Sequence, residues 1–365
     1  MHLDCFHGGA FWDAIGADFT SVEKRHDVVA ADVLDAWFPP APAVLEGLRD
    51  LADWTSRTSP PTHAEGLKDA IALWRNLLQD SIIVGPGSSA ILYAALGEWL
   101  SPGSRVCLTE PSYGEYAHFC AHVVPCDVQR VTATAADGFR LDVDEWIEAI
   151  VQHRADLAVL VRPNNPTGTT MPLHDLRAAL GRIPPFTRVL VDEAYIDYTP
   201  ATSAETLLAD YPNLFVLKSL SKCYALSGLR VGYLAGDLGR LARKVPPWWV
   251  SLPAQLAAVR ALMADAYYTA RYAETALLRN EMVAQVGVRC HGGANWLLLP
   301  LPTGARSSEV VELARQNRVF VRDAGRSAPS LEEKWIRCAV RSRAENERSL
   351  GVLQEAIASC RASVA

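Results

Sequence analysis

At 365 residues the chain can bury two sizeable cores, and its make-up, 50% hydrophobic and 21% charged, is that of a globular enzyme. A formal net charge of −6 argues against nucleic acid as the main partner, because neutralising phosphates takes a basic face. No apolar run approaches the ~20 residues that span a bilayer, and the opening MHLDCFHGGAFWDAIG lacks the basic and then cleanly apolar run of a secretory signal. The eight cysteines are scattered and form no C-x-x-C pair. They read as reduced thiols of a cytoplasmic protein, not as metal ligands or a redox pair.

Residues 1–44 lack strong periodicity and are rich in aromatics and proline, a segment expected to drape over the junction of two lobes. From 45 to 250, short apolar runs ending in Gly, Pro, Asn or Ser alternate with amphipathic stretches. SIIVGPG, SRVCLTEP, DLAVLVRPNNP, TRVLVDEAY, NLFVLKSLS and RVGYLAG predict buried strands, and SSAILYAALGEWL, DVDEWIEAIVQH and LHDLRAALGRI predict helices between them. The alternation predicts an α/β domain, a mostly parallel sheet with helices on both faces, whose ligands bind at the carboxyl ends of the strands. From 251 to 365 the texture changes. One long helical pattern, PAQLAAVRALMADAYYTARYAETALLRNEMVAQ, precedes a strand, ANWLLLPL, a helix, SSEVVELARQ, strands VFVRD and WIRCAV, and a last helix from Ala344, which together predict a smaller α+β domain.

The unusual residues sit where the strands end. In GPGSSA, 85–90, glycines permit close backbone approach and the amides of Ser88 and Ser89 would face an anion at a helix N-terminus, although a serine cap with no ligand would read the same. Tyr113 in EPSYGEY could stack on a flat ring or pack in the junction. RPNNPTG makes a sharp turn that shows an amide, or an ordinary Asn-Pro turn. Asp192, closing an apolar strand with Tyr195 three residues on, needs a cationic or hydrogen-bonding partner if buried; otherwise VDEAYIDY is a surface turn. SLSKCYALSGLR, 219–230, sets Lys222 between hydroxyls with Arg230 eight positions later, in a chain that uses lysine sparingly. Lys222 is either a surface residue at a strand end or a Schiff-base lysine, which arginine could not replace. Together an anion cradle, a stacking ring, an amide, a carboxylate beside a phenol and a reactive lysine make the inventory that pyridoxal 5'-phosphate (PLP) requires.

From about residue 45 to 345 the sequence resembles the fold-type-I PLP enzymes of aminotransferase class I/II. Its PSYGEY, RPNNPTG, VDEAYIDY and SLSKCYALSGLR are most similar to those of histidinol-phosphate aminotransferases and threonine-phosphate decarboxylases. The resemblance implies a PLP-binding domain over 45–250 with a small C-terminal domain over 251–365. It implies that Lys222 is the Schiff-base lysine and proton shuttle, that Asp192 pairs with the ring nitrogen, that Tyr195 and Asn165 hydrogen-bond the ring hydroxyl, and that Tyr113 stacks on the ring. Ser88, Ser89, Ser219, Ser221 and Arg230 match phosphate-binding positions, and Arg337 in WIRCAV matches the arginine that grips a substrate carboxylate. A homodimer acting on a small-molecule substrate, an amino acid, is also implied.

Two departures stand out. LDAWFPPAP replaces the family's Asn-Glu-Asn-Pro-type segment and sets Trp37 near the substrate; Thr58 or Ser59 stands where histidinol-phosphate aminotransferases have a tyrosine that reaches the partner's cofactor phosphate. His7-Gly8-Gly9 is similar to the start of threonine-phosphate decarboxylases. The expected function is a PLP-dependent aminotransferase for an α-amino acid. The alternatives are a PLP decarboxylase, lyase or cyclase, and a non-catalytic PLP-fold regulator, the last disfavoured by the intact Lys222.

Overall fold

The computed structural model describes residues 7–362. The N-terminal segment carries a short strand, β1 (Val29–Ala30). Seven strands then build the main sheet: β2 (Ile82–Gly85), β3 (Arg105–Glu110), β4 (Asp127–Thr132), β5 (Leu157–Val161), β6 (Arg188–Asp192), β7 (Leu214–Lys218) and β8 (Gly232–Gly236). Their spatial order is β2-β8-β7-β6-β5-β3-β4. All neighbours are parallel except β8, which runs against both β2 and β7. Every residue of β5 and β7 is buried, as a sheet covered on both faces requires. The six runs expected to be strands all form them. Strand β4 was not expected: DVQRVT is a mostly exposed edge strand, and its charges and polar groups leave no apolar run to read.

The C-terminal part holds a second, antiparallel sheet. It is built from β9 (His291–Gly293), β10 (Trp296–Pro300), β12 (Arg322–Asp323) and β13 (Trp335–Ala339), and between β10 and β12 lies β11 (Val319–Phe320). VFVRD is therefore two strands. Its first half, β11, pairs in parallel with β1, and its second half joins the antiparallel sheet. The long helical pattern also divides, into Leu252–Leu262 and Asp265–Val286, at a break that no glycine or proline announces.

The pairing of β1 with β11, reinforced by the Ala339 N–H donating to the Ala31 carbonyl, pins the N-terminal segment to the small sheet. Residues 32–35 are thereby held across the carboxyl ends of the large sheet. One continuous apolar core runs through this junction from Val29 to Cys360, and two further clusters fill the faces of the large sheet. Among the described residues no helix is long and apolar enough to cross a membrane, and no group of His, Cys, Asp and Glu could hold a metal ion.

Candidate active site

The carboxyl ends of β3, β5, β6 and β7 open into a cavity of about 580 Å³, closed on the far side by residues 32–34 and by Arg322 and Arg337 of the small sheet. Ser88, Ser89, Tyr113, Asn165, Asp192, Tyr195, Ser219, Lys222, Arg230 and Arg337 all line it. Most of these residues meet here because each follows a large-sheet strand that ends on the same rim, while Arg337 reaches in from β13 of the small sheet.

The end of β6 shows how the backbone sorts charge. Successive side chains of a strand point to opposite faces, so Asp192 enters the cavity while Glu193 turns away from it. Glu193 meets Arg162 (Nη1 to Oε1, 2.6 Å) and accepts a hydrogen bond from the Ala204 N–H (2.9 Å). Lys218, at the end of β7, lies on that same inner side, 3.4 Å from Glu193 and 3.6 Å from both Asp197 and Glu205. Burial pulls the Lys218 pKa down, but the three carboxylates outweigh it and hold it above the usual lysine range. Lys218 is thus a fixed cation of the core. Lys222, four residues on, stands in the cavity wall.

Asp192 has no cation within ion-pair distance among the described residues. Its Oδ2 accepts from the Tyr116 hydroxyl (2.8 Å) and its Oδ1 from the Ala194 N–H (3.0 Å). Burial pushes its carboxyl up to about 6, against the lowering effect of those two hydrogen bonds. A buried carboxylate aimed into a cavity without a counter-charge suits a ligand that brings a protonated ring nitrogen.

At the other end, Ser88 and Ser89 begin the helix Ser88–Trp99, whose first amides face the cavity. Gly87 has φ +85, and a Cβ there would lie 2.6 Å from Arg230 Nη2; only glycine lets the guanidinium close down over this turn. Arg230 itself is held at φ +55, a strained conformation for a bulky residue of the kind that collects at binding sites. Amides, hydroxyls and a guanidinium together make a cationic, donor-rich turn that could hold an anion.

The RPNNPTG turn assigns its two asparagines different work. Asn164 Nδ2 donates to the Pro111 carbonyl (2.8 Å) and to Thr167 Oγ1 (2.7 Å), which fixes the loop. Gly168 presses the turn against β9 so closely that a Cβ would sit 1.9 Å from the Gly292 carbonyl carbon. Asn165 is left facing the cavity, where its Oδ1 accepts from Arg337 Nη1 (2.8 Å). The Arg337 Nη2 donates to the Asp32 carbonyl (2.8 Å), while its Nε is buried with no partner. Burial lowers the Arg337 pKa, and no carboxylate lies within ion-pair distance of it among the described residues. It is a buried cation prepared for an anion. Tyr195, 5.0 Å from the Trp296 ring in an edge-on contact, packs beside it.

Two expected site residues do not line the cavity. The Ser221 hydroxyl is spent on backbone, donating to the Val231 carbonyl (3.1 Å) and accepting from the Val231 N–H (3.0 Å), so it holds the loop shut. Trp37 turns outward: its indole N–H donates to Thr275 (2.9 Å), Arg271 lies over its ring, and Phe38 packs against its edge. Of LDAWFPPAP, Leu34 lines the cavity, and Asp35, just outside its lining, reaches the site by pairing with Lys222. Neither Asp35 nor Tyr116 was singled out in the sequence. Tyr116 could have been, since it lies one helical turn after Tyr113. His7 also borders the cavity, 2.7 Å from Glu115, and the Gly9 and Ala10 N–H groups donate to Asp32 Oδ2 (2.6 and 2.9 Å). Thr58 and Ser59 lie beyond the helix Ala52–Arg57 and outside this cavity.

The family model of aminotransferase class I and II matches residues 32–353. The chain belongs to that family. It is 32% identical over 315 residues to the histidinol-phosphate aminotransferase of Xanthomonas campestris pv. campestris, covering 83% of this chain and 85% of the relative. It is 31% identical over 373 residues to the CMP-5'-(3-aminopropyl)phosphonate synthase of Streptomyces rubellomurinus, and 37% identical over 210 residues to the histidinol-phosphate aminotransferase of Symbiobacterium thermophilum. These two alignments cover 97% and 57% of this chain but only 55% and 56% of the relatives, so the chain spans little more than half of each. In fold it is similar to histidinol-phosphate aminotransferase from Sinorhizobium meliloti in complex with PLP (TM-score 0.81, 23% identity, 93% of this chain and 94% of that one). It is also similar to the L-threonine-O-3-phosphate decarboxylase of Porphyromonas gingivalis (TM-score 0.77, 22% identity, 90% and 99%). The fold is that of the type I PLP enzymes, and PLP is the family's cofactor.

Proposed function

We propose that this chain is a PLP-dependent aminotransferase for an α-amino acid. The observation that carries the reading is the pair of unmet charges facing one cavity: Asp192, a buried carboxylate without a cation, and Arg337, a buried cation without a carboxylate. When bound, PLP supplies an aldehyde for the substrate amine and a ring that accepts an electron pair. Asp192 would keep the ring nitrogen protonated, with Tyr116 orienting its carboxylate. Ser88, Ser89, Ser219 and Arg230 would hold the phosphate, Tyr113 would stack on the ring, and Asn165 and Tyr195 would meet its hydroxyl. Arg337 would grip the substrate carboxylate, with Asn165 as its brace. Lys222, in the cavity wall, would serve as the base that takes a proton from one carbon and the acid that returns it to another.

Arg322 and Arg326 border the same cavity beyond Arg337. Their charge supports a substrate whose far end is also anionic, in keeping with relatives named for phosphate and phosphonate compounds. A homodimer is part of the proposal. Leu73 and Leu78, 88% and 79% exposed, and the exposed Trp54, Trp74 and Trp248 are large apolar side chains that a partner subunit could cover. We also propose domain limits of 1–44, 45–250 and 251–365 for the junction segment, large domain and small domain.

The test is a single turnover. Enzyme loaded with PLP is mixed with amino acids, with and without distal phosphate or phosphonate groups, in the absence of an amino acceptor. One equivalent of 2-oxo acid per site supports transamination. Release of carbon dioxide with an amine product refutes it in favour of decarboxylation.

A further inference from the structure

The segment that replaces the family's Asn-Glu-Asn-Pro-type motif enters the site through a carboxylate. Asp35 Oδ1 accepts from Lys222 Nζ at 2.7 Å and from the Ser227 hydroxyl at 2.7 Å. The two charges are 187 residues apart in sequence, so the contact is made by the fold and not by neighbouring turns of one helix. Exposed pairs between flexible side chains contribute little because both must be immobilised. This pair is braced on both sides: Ser227 fixes the carboxylate, and Arg341 Nη1 holds the Asp35 carbonyl at 3.1 Å.

We propose that Asp35 is a positioning residue for Lys222, holding its ammonium in the cofactor-free protein, so that attachment of the cofactor must first free the amine from this pair. The inference rests on the reading of Lys222 as the cofactor-bearing lysine. Attachment needs the neutral amine: its nitrogen bonds to the aldehyde carbon, the aldehyde oxygen leaves as water, and the ammonium proton goes to solvent. An ammonium held by Asp35 waits without reacting.

The groups facing this carboxylate are few. Lys222 and Ser227 approach it from the 219–230 loop, Arg341 from the chain after β13, and the phenols of Tyr195 and Tyr198 act on it from beyond β6. Burial pushes the Asp35 pKa up, but Lys222, Ser227 and Arg341 overcome that and keep it below the usual carboxylate value, so it is charged throughout the neutral range.

The experiment uses the full chain freed of cofactor. PLP is added across a pH series, borohydride is pulsed in, and labelled Lys222 is quantified by peptide mass. Asp35→Asn should move the midpoint of capture to lower pH, because the amine no longer has to leave a carboxylate. Asp35→Glu should return it toward wild type. Raising ionic strength on the wild-type protein should also lower the midpoint, through screening of the partly exposed pair, and this decides the matter if Asp35→Asn fails to fold. A midpoint unmoved by Asp35→Asn, or by salt in wild type, overturns the proposal. A wild-type label on some other lysine, or on none, contradicts the reading of Lys222 instead.

Discussion

Tyr116 donates its phenolic hydrogen to Asp192 at 2.8 Å across 76 residues of sequence, and that bond helps to hold a carboxylate buried where no cation meets it. The cofactor-free protein carries the cost. Its Asp192 titrates near 6 in place of 3.8, so between those values the folded chain binds the proton more tightly than the unfolded chain does. Stability from this group is therefore greatest below the unfolded value and falls as pH rises through about 6, by about 3 kcal/mol in all.

Asp192→Asn should consequently stabilise the cofactor-free protein at pH 7.5 by up to about 3 kcal/mol and change it little near pH 4. Urea unfolding of both proteins at both values measures the difference. With PLP bound the sign of the benefit reverses: a neutral amide cannot hold the ring proton, and turnover should lose on the order of 3 kcal/mol or more in barrier. An Asn variant as active as wild type would remove Asp192 from the mechanism.

Lys218 and Lys222 should respond oppositely to truncation. Lys218→Met leaves Glu193, Asp197 and Glu205 short of a buried cation and should cost roughly 3–5 kcal/mol of stability. Lys222→Ala should fold like wild type. Asp197 adds a pH signature. Burial raises its pKa, but Lys218 and Arg75 outweigh that and hold it down to about 2, so its contribution is present above the unfolded value of 3.8 and is lost as pH falls towards 2. Denaturation curves between pH 2 and 5 should show this loss in wild type and much less of it in Lys218→Met.

Arg337→Ala should raise KM for amino acids by the equivalent of roughly 2–5 kcal/mol, the usual loss for a charge-assisted pair in a closed site. Amines without the carboxylate should be affected far less. Steady-state kinetics on a matched amino acid and amine gives the ratio, and equal effects on both would assign Arg337 to structure alone. Histidinol phosphate, which has no α-carboxylate, should be a poor substrate.

A dimer is expected in sedimentation at micromolar concentration. Replacing both Leu73 and Leu78 by aspartate should split it, because those side chains are too exposed to matter to the monomer's own core. An active wild-type monomer would rule the interface out.

Much of the site could be read in the sequence because parallel strands are short apolar runs and the residues that end them stand out against that background. Asp192, Asn165, Lys222 and Arg230 were legible for that reason. Partners set by tertiary structure were not. Nothing in EPSYGEY says that Tyr116 points at a residue 76 positions away, and nothing in LDAWFPPAP says that Asp35 faces in while Trp37 faces out. The segment has no regular period, so the sequence carries no rule for which face each residue takes. Ser221 misled for a related reason: a serine beside a reactive lysine looks like a ligand, but its hydroxyl closes the loop to Val231. Strand β8 was found without its direction, because the alternation of strands and helices does not record that the chain turns back after β7 and inserts β8 antiparallel between β7 and β2.

The most direct test of the account is to find where PLP attaches. Wild-type protein is loaded with PLP, reduced with borohydride and digested, and the modified peptide is sequenced by mass spectrometry. The account predicts a single label on Lys222, absent in Lys222→Ala, whose fold should be intact by circular dichroism. A label on Lys218, or persistence of the full label in Lys222→Ala, would contradict it.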